Sequence, residues 1–101
     1  MDRESIEISL TEFINEVLKF YDPKSIYLFG SYANGTANEN SDIDIALVYD
    51  NYESEAYLDD LAYLWKIAGD IDYRIEPVIV DKKDEKTGFL TKIKNTGILI
   101  K

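Results

Sequence analysis

Ser25-Ile26-Tyr27-Leu28-Phe29-Gly30-Ser31, ten further residues to Ser41, then Asp42-Ile43-Asp44-Ile45-Ala46-Leu47-Val48-Tyr49 reads as strand, turn, polar loop and strand. Ser25 to Phe29 is a short apolar, β-favouring run that stops at a glycine. Asn34 to Ser41 is small and polar throughout, as a loop is. Asp42 to Tyr49 begins by alternating and becomes continuously apolar, the pattern of a strand with one end emerging from a core. Residues two apart on a strand point to the same side, so Asp42 and Asp44 project together, about 6.6 Å apart.

Two neighbouring acids repel one another and lose hydration, and no packing need explains the pair. A divalent cation resolves the repulsion. The chain has no histidine and no cysteine, so only oxygen ligands are on offer and Mg²⁺ is the natural ion. Two such ions form the known arrangement for nucleotidyl transfer. Gly30 and Ser31 supply the complementary half: a glycine ending a strand lets a phosphate approach the backbone, and the N–H groups that follow at a helix start bind anions. The Ser31 hydroxyl adds a donor, and Gly35 turns the loop back towards the acids. Gly30-Ser31 by itself is equally an ordinary strand-ending turn; the acids at fixed distance decide its reading. The bare spacing arises by accident in on the order of a few per thousand chains of this length.

Outward from this stretch, Ser9 to Glu12 reads as a capping box opening a helix from Leu10 to Tyr21, closed by Asp22-Pro23. A second long helix is predicted from Glu53 to Ala68, with Tyr57, Leu61, Leu64, Trp65 and Ala68 as a core stripe and Gly69 as its stop. Ile75 to Val80 is a third strand, and its Pro77, which cannot donate to a ladder, points to an edge or irregular position. Phe89, Leu90 and Ile93 mark a last helix before Ile98-Leu99-Ile100. Asp70 and Asp72 repeat the two-residue spacing but follow no phosphate-binding turn, so they read as loop acids. The run Asp81 to Lys86 reads as a solvated turn. The order of elements indicates one layered domain, α+β or α/β, over residues 1–101.

Composition narrows the function. Eleven basic against 20 acidic residues give a net charge of −9, which argues against direct nucleic-acid binding and against docking on anionic membranes. With 46% hydrophobic residues the chain is expected to fold unaided. There is no run of the ~18 apolar residues that spans a bilayer, nor signal-peptide character at Met1-Asp2-Arg3-Glu4, so a cytoplasmic location is expected.

The blocks Phe29 to Ala37, Asn40-Ser41-Asp42-Ile43-Asp44-Ile45-Ala46, Arg74-Ile75-Glu76-Pro77, and Gly88-Phe89-Leu90 with Lys94-Asn95-Thr96-Gly97-Ile98 together resemble the minimal nucleotidyltransferases of bacteria and archaea, stand-alone members of the polymerase-β-like superfamily. The resemblance implies an α+β fold with a small mixed sheet flanked by helices, metal-binding and catalytic carboxylates at Asp42, Asp44 and Glu76, two Mg²⁺ ions, and ATP as substrate. It places Gly30 and Ser31 on the β- and γ-phosphates, with Gly35 and Ser41 beside them in the nucleotide site. It implies an antitoxin paired with a HEPN-domain ribonuclease toxin, and transfer of AMP onto a tyrosine of that toxin. Hence a homo- or hetero-oligomer is expected, the acceptor being presented by another chain. Alternatives are an antitoxin that neutralises by contact alone, and an aminoglycoside-type small-molecule transferase completed by a partner subunit. Many relatives carry Arg or Lys where this chain has Asn34. Glu76 also has two blander readings, as an exposed edge-strand acid or as the partner of Arg74, and its role as ligand or base is open.

Overall fold

The computed structural model describes residues 6–38, 40–52, 55–84 and 87–101. Its elements run α1 (Glu7–Val17), β1 (Ser25–Phe29), α2 (Ser31–Asn34), β2 (Ile43–Tyr49), α3 (Tyr57–Ile71), β3 (Ile75–Asp81), a 3₁₀ turn (Lys82–Asp84), α4 (Phe89–Thr96) and β4 (Ile98–Leu99). The sheet order is β3-β2-β1-β4. β1 pairs antiparallel with β2 and β4, while β2 and β3 run parallel with α3 as their crossover. The mixed sheet flanked by helices is as the resemblance implies.

Strand alternation sorts the side chains into two layers. Ile26, Leu28, Ile43, Ile45, Leu47 and Ile75 face α1 and α3, where Leu10, Phe13, Val17, Leu64 and Ala68 close the main core. Phe13 is fully buried, and burial of such a side chain contributes roughly 2–3 kcal/mol. Ala46, Val48 and Val80 face the other way and meet Leu90 and Ile93 of α4. Asp44 and Glu76 begin these second rows, by the same period of two.

Three local expectations are corrected. α1 starts earlier than Leu10, because buried Ile6 extends the apolar face and stands at the N-cap position without a side-chain cap. The Ser9 hydroxyl donates instead to Asp72, at 2.9 Å, so the predicted capping box does not form. The helix proper ends at Val17, with Phe20 and Tyr21 completing a turn onto the Val17 carbonyl.

The predicted start of the second helix at Glu53 lies outside the described residues; α3 begins at Tyr57 and passes through Gly69 to Ile71. Burial of Leu64, Ile67 and Ala68 holds the last turns, which outweighs the ~1 kcal/mol that a mid-helix glycine costs. Asp70 is therefore helical and pairs with Lys66 at 3.2 Å across an exposed i, i+4 spacing, a contact of little energetic weight.

The core stripe divides as well. Leu64 and Ala68 are buried, but Trp65 is 44% exposed and Tyr57 is also exposed. Trp65 leans over β3 and donates its indole N–H to the Pro77 carbonyl at 3.0 Å, which shields part of an edge strand. β3 occupies an edge of the sheet, one of the positions to which Pro77 points. Of the charge run, Glu85 and Lys86 lie outside the described residues. Asp81 instead ends β3 and accepts the backbone N–H groups of Tyr52 at 3.1 Å and Lys83 at 2.9 Å.

Candidate active site

The register across three strands assembles the site. Asp44 lies opposite Phe29 on β1 and opposite Glu76 on β3. One row therefore runs from the end of β1 through the acid of β2 to the acid of β3, and Asp42, two residues before Asp44, joins it. Glu76 shares a hydrogen bond with Asp42, as only a protonated carboxyl can with another carboxylate. That bond, burial, and the charges of Asp42 and Asp44 push Glu76 up to about 7. Burial and the charge of Asp42 likewise raise Asp44 above the ordinary aspartate range. Glu76 is thus neither a lone edge acid nor the partner of Arg74, which pairs with Asp72 at 2.8 Å.

Gly30 shows why this corner calls for glycine. Its backbone sits at φ 75°, ψ −151°, a region that essentially only glycine occupies. A Cβ there would lie 2.2 Å from Oδ2 of Asp44. The bare Cα lets the Asp44 carboxylate close against the turn. The Gly30 carbonyl then accepts the N–H groups of Ala33 and Asn34 at 3.0 and 3.1 Å, which starts α2 immediately at Ser31. Gly35 ends α2 in the left-handed conformation at φ 82°, and Thr36 N–H returns to the Ser31 carbonyl at 3.0 Å.

Asn34 is committed to this loop: its Oδ1 accepts the Thr36 hydroxyl at 2.6 Å and the Thr36 N–H at 3.1 Å. Ser41 ties the next bend, its hydroxyl accepting Asn38 N–H at 2.9 Å while its own N–H donates to the Asn38 carbonyl at 3.0 Å. Gly30, Ser31, Asp42, Asp44 and Glu76 therefore share one end of the sheet. Gly35 and Ser41 shape the loop between them.

A cleft of about 380 Å³ opens beside this corner, lined by Phe29, Gly30 and Asn34 on one side and by Phe89, Lys92, Ile93 and Thr96 of α4 on the other. The Phe29 and Phe89 rings meet edge to face, with centroids 5.6 Å apart, and Phe89 remains 38% exposed. Sequence reasoning did not reach this cleft. Its signal is the i, i+3, i+4, i+7 spacing of Phe89, Lys92, Ile93 and Thr96, a single helical stripe of which the apolar members serve above only to mark a helix.

Asp42, Asp44 and Glu76 offer oxygen donors in a chain without histidine or cysteine, and the raised proton affinities of Asp44 and Glu76 mark a local shortage of positive charge. That chemistry suits Mg²⁺. Among the described residues no group of three or more Asp, Glu, His or Cys is disposed as a metal cage. No helix among the described residues is long and apolar enough to cross a membrane.

Residues 12–101 match the family model described as Polymerase beta, Nucleotidyltransferase. Two proteins of Methanocaldococcus jannaschii, both named by inference as protein adenylyltransferases, are similar. One is 54% identical over 52 residues, 48% of this chain and 52% of that protein. Its matched segment thus spans about half of the relative's length. The other is 33% identical over 101 residues, covering 94% of this chain and 97% of that protein. A crystal structure from Sulfolobus solfataricus, described by inference as a nucleotidyltransferase, shares the fold at a TM-score of 0.66 and 22% identity, over 91% of this chain and 76% of that one. A toxin–antitoxin crystal structure with AMP-PNP aligns at a TM-score of 0.59 and 31% identity, over 86% of this chain and 68% of that one.

Proposed function

The chain belongs to the polymerase-beta nucleotidyltransferase family, and from that premise we propose that it transfers AMP from ATP to a tyrosine hydroxyl of a HEPN-domain ribonuclease toxin, as that toxin's antitoxin. The observation that carries the reading is the register that sets Asp44 beside Glu76 and under the bare Cα of Gly30. A phosphate-binding turn then lies directly against the carboxylates that must act at the adjoining α-phosphorus. Likeness to a toxin–antitoxin structure holding AMP-PNP supports both the nucleotide and the kind of partner. The names of the M. jannaschii relatives support a protein as acceptor.

The reaction is an in-line displacement. The acceptor oxygen bonds to the α-phosphorus, the bond from that phosphorus to the bridging oxygen of the β-phosphate breaks, and pyrophosphate leaves. The Gly30-Ser31 turn holds the β- and γ-phosphates through backbone N–H groups and the Ser31 hydroxyl. The cleft against Phe89 receives the nucleoside, whose base has an apolar ring to stack on. Asp42, Asp44 and Glu76 would hold Mg²⁺, which when bound supplies positive charge to the triphosphate and acidifies the acceptor hydroxyl. Glu76 accepts the acceptor's proton, its carboxylate lying on β3 in register with Asp44.

One observation favours a second reading. Asn34 brings no positive charge to the phosphate side and spends its side chain on Thr36, as an antitoxin acting by contact alone would tolerate. Incubation with ATP labelled at the α-phosphorus, Mg²⁺ and the product of the neighbouring gene separates the two. Label on the partner, abolished by Asp42→Asn with Asp44→Asn, is expected. Neutralisation that survives that double substitution with no label transferred establishes the contact-only reading instead.

A further inference from the structure

The corner between α3 and β3 carries a polar network that reaches well beyond the corner itself. Asp72, at the end of α3, accepts Arg74 Nε at 3.0 Å and one terminal guanidinium nitrogen at 2.8 Å, a two-pronged pair joined by the Ser9 hydroxyl. These bonds hold the Asp72 carboxyl down at about 2. The other terminal nitrogen of Arg74 extends to the Tyr32 hydroxyl at 3.2 Å, and that hydroxyl donates to the Asn38 carbonyl at 3.1 Å. The Arg74 carbonyl accepts Ile43 N–H at 2.8 Å.

The positions so joined are the ones the chemistry needs. Tyr32 directly follows Ser31 of the phosphate turn. Asn38 stands in the loop that delivers Asp42, Ile43 separates the two aspartates, and Arg74 precedes Glu76 by two residues. Tyr32 is only 4% exposed, so its ring is fixed in the core and its hydroxyl has little freedom to search for another partner. The α3–β3 corner is held by the bonds of Asp72 to Arg74 and Ser9 and by Ile75 N–H on the Asp72 carbonyl at 3.0 Å. The arm to Tyr32 and Asn38 serves no part of that corner.

We infer that Arg74, acting through Tyr32, is a positioning residue that sets the spacing between the Gly30-Ser31 turn and the carboxylates Asp42, Asp44 and Glu76. The inference rests on the nucleotidyl-transfer reading above. A planar guanidinium suits the task because it bonds a carboxylate with two nitrogens and still presents the third at a fixed angle, which a lysine ammonium cannot do. Misplacement of reacting groups by about 1 Å costs on the order of 100-fold in rate, so a small drift of the turn is felt in turnover before it is felt in folding.

Two substitutions separate positioning from plain stabilisation, since Tyr32→Phe and Ser9→Ala each delete one hydroxyl from opposite ends of the same network. The expected result is a similar small fall in melting temperature for both. Only Tyr32→Phe, assayed well below its melting point, lowers kcat for label transfer by roughly 10- to 100-fold, with KM for ATP changed by about twofold or less. Arg74→Lys lowers kcat as Tyr32→Phe does, with a larger fall in melting temperature because the two-pronged pair with Asp72 is lost as well. Amide hydrogen exchange is read in parallel: residues 38–43 exchange faster in Tyr32→Phe than in wild type or Ser9→Ala. Unchanged kcat in Tyr32→Phe, or an equal loss in Ser9→Ala, overturns the inference while leaving the transferase reading intact. A wild-type protein that transfers no label sinks the transferase reading instead, and the exchange pattern at 38–43 then decides whether the coupling exists.

Discussion

Replacing Gly30 by alanine separates the geometry of the site from the stability of the fold. The substitution meets two obstacles: the backbone at φ 75°, ψ −151°, and Oδ2 of Asp44 at 2.2 Å from the new Cβ, with Cγ at 3.2 Å. A side chain forced into that backbone region costs of order 1–3 kcal/mol, which lowers the melting temperature by roughly 4–24 °C in a chain of this size. The clash is relieved differently, since the obstructing atom is the far end of a rotatable side chain. Asp44 must retreat by about 1.2 Å to restore the 3.4 Å at which ordinary contact begins. The fold survives and the carboxylate moves, at a cost of about 100-fold in turnover. Gly35→Ala is the matched control, with a positive φ of 82° but nothing within 4 Å of the added Cβ. Its backbone strain is about 1–2 kcal/mol, with no carboxylate displaced. Thermal melts and initial rates of α-phosphate label transfer, measured on both variants at one temperature below both transitions, test this. Activity of Gly30→Ala within about threefold of wild type refutes the reasoning, as does an equal loss in Gly35→Ala.

Other outcomes follow from the same geometry. Asp44→Asn abolishes label transfer yet raises the melting temperature at pH 8 in metal-free buffer, because burial and Asp42 both disfavour its charged form; a lower melting temperature contradicts this. Glu76 binds its proton more tightly when folded, near 7, than a glutamate does in an unfolded chain, at about 4.3. Its contribution to the stability of the metal-free protein is therefore fully present below the unfolded value and is lost as pH rises through about 7, which urea midpoints between pH 5 and 8 measure. Glu76→Gln should flatten that dependence. Phe89→Ala raises KM for ATP by roughly tenfold, the loss of one base-stacking platform, while kcat is nearly unchanged; titration with inorganic tripolyphosphate, which has no base, shows no such weakening.

The two halves of the site differ in how readily the sequence shows them. Gly30, Ser31, Asp42 and Asp44 were readable because local chemistry constrains them: a glycine after an apolar run, and acids at a spacing of two. Glu76 depends on a parallel register closed over the whole of α3, and no local pattern encodes that pairing. Resemblance brought it forward, and the strand ladder places it opposite Asp44. The misjudged boundaries share a cause. Ser9 and Asp72 were each assigned to their own neighbourhoods, as a cap and a loop acid, whereas they bond to one another across 63 positions of sequence. Local propensity cannot see a partner that distant. Trp65 likewise fits a core stripe by spacing, but it lies on the flank of α3 that reaches the edge strand.

The parallel pairing of β2 with β3 has a further consequence in time. On a growing polypeptide Asp42 and Asp44 emerge well ahead of Glu76, and β1 and β2 can form their hairpin while α3 is still being made. Closing the ladder to β3 demands the long-range contact that chains reach slowly. The carboxylate trio is therefore a late product of folding, complete only when the crossover helix has docked. A chain stalled before that point displays the Gly30-Ser31 turn and two acids without Glu76 beside them, so the nucleotidyl transfer proposed above would be withheld until the molecule is built.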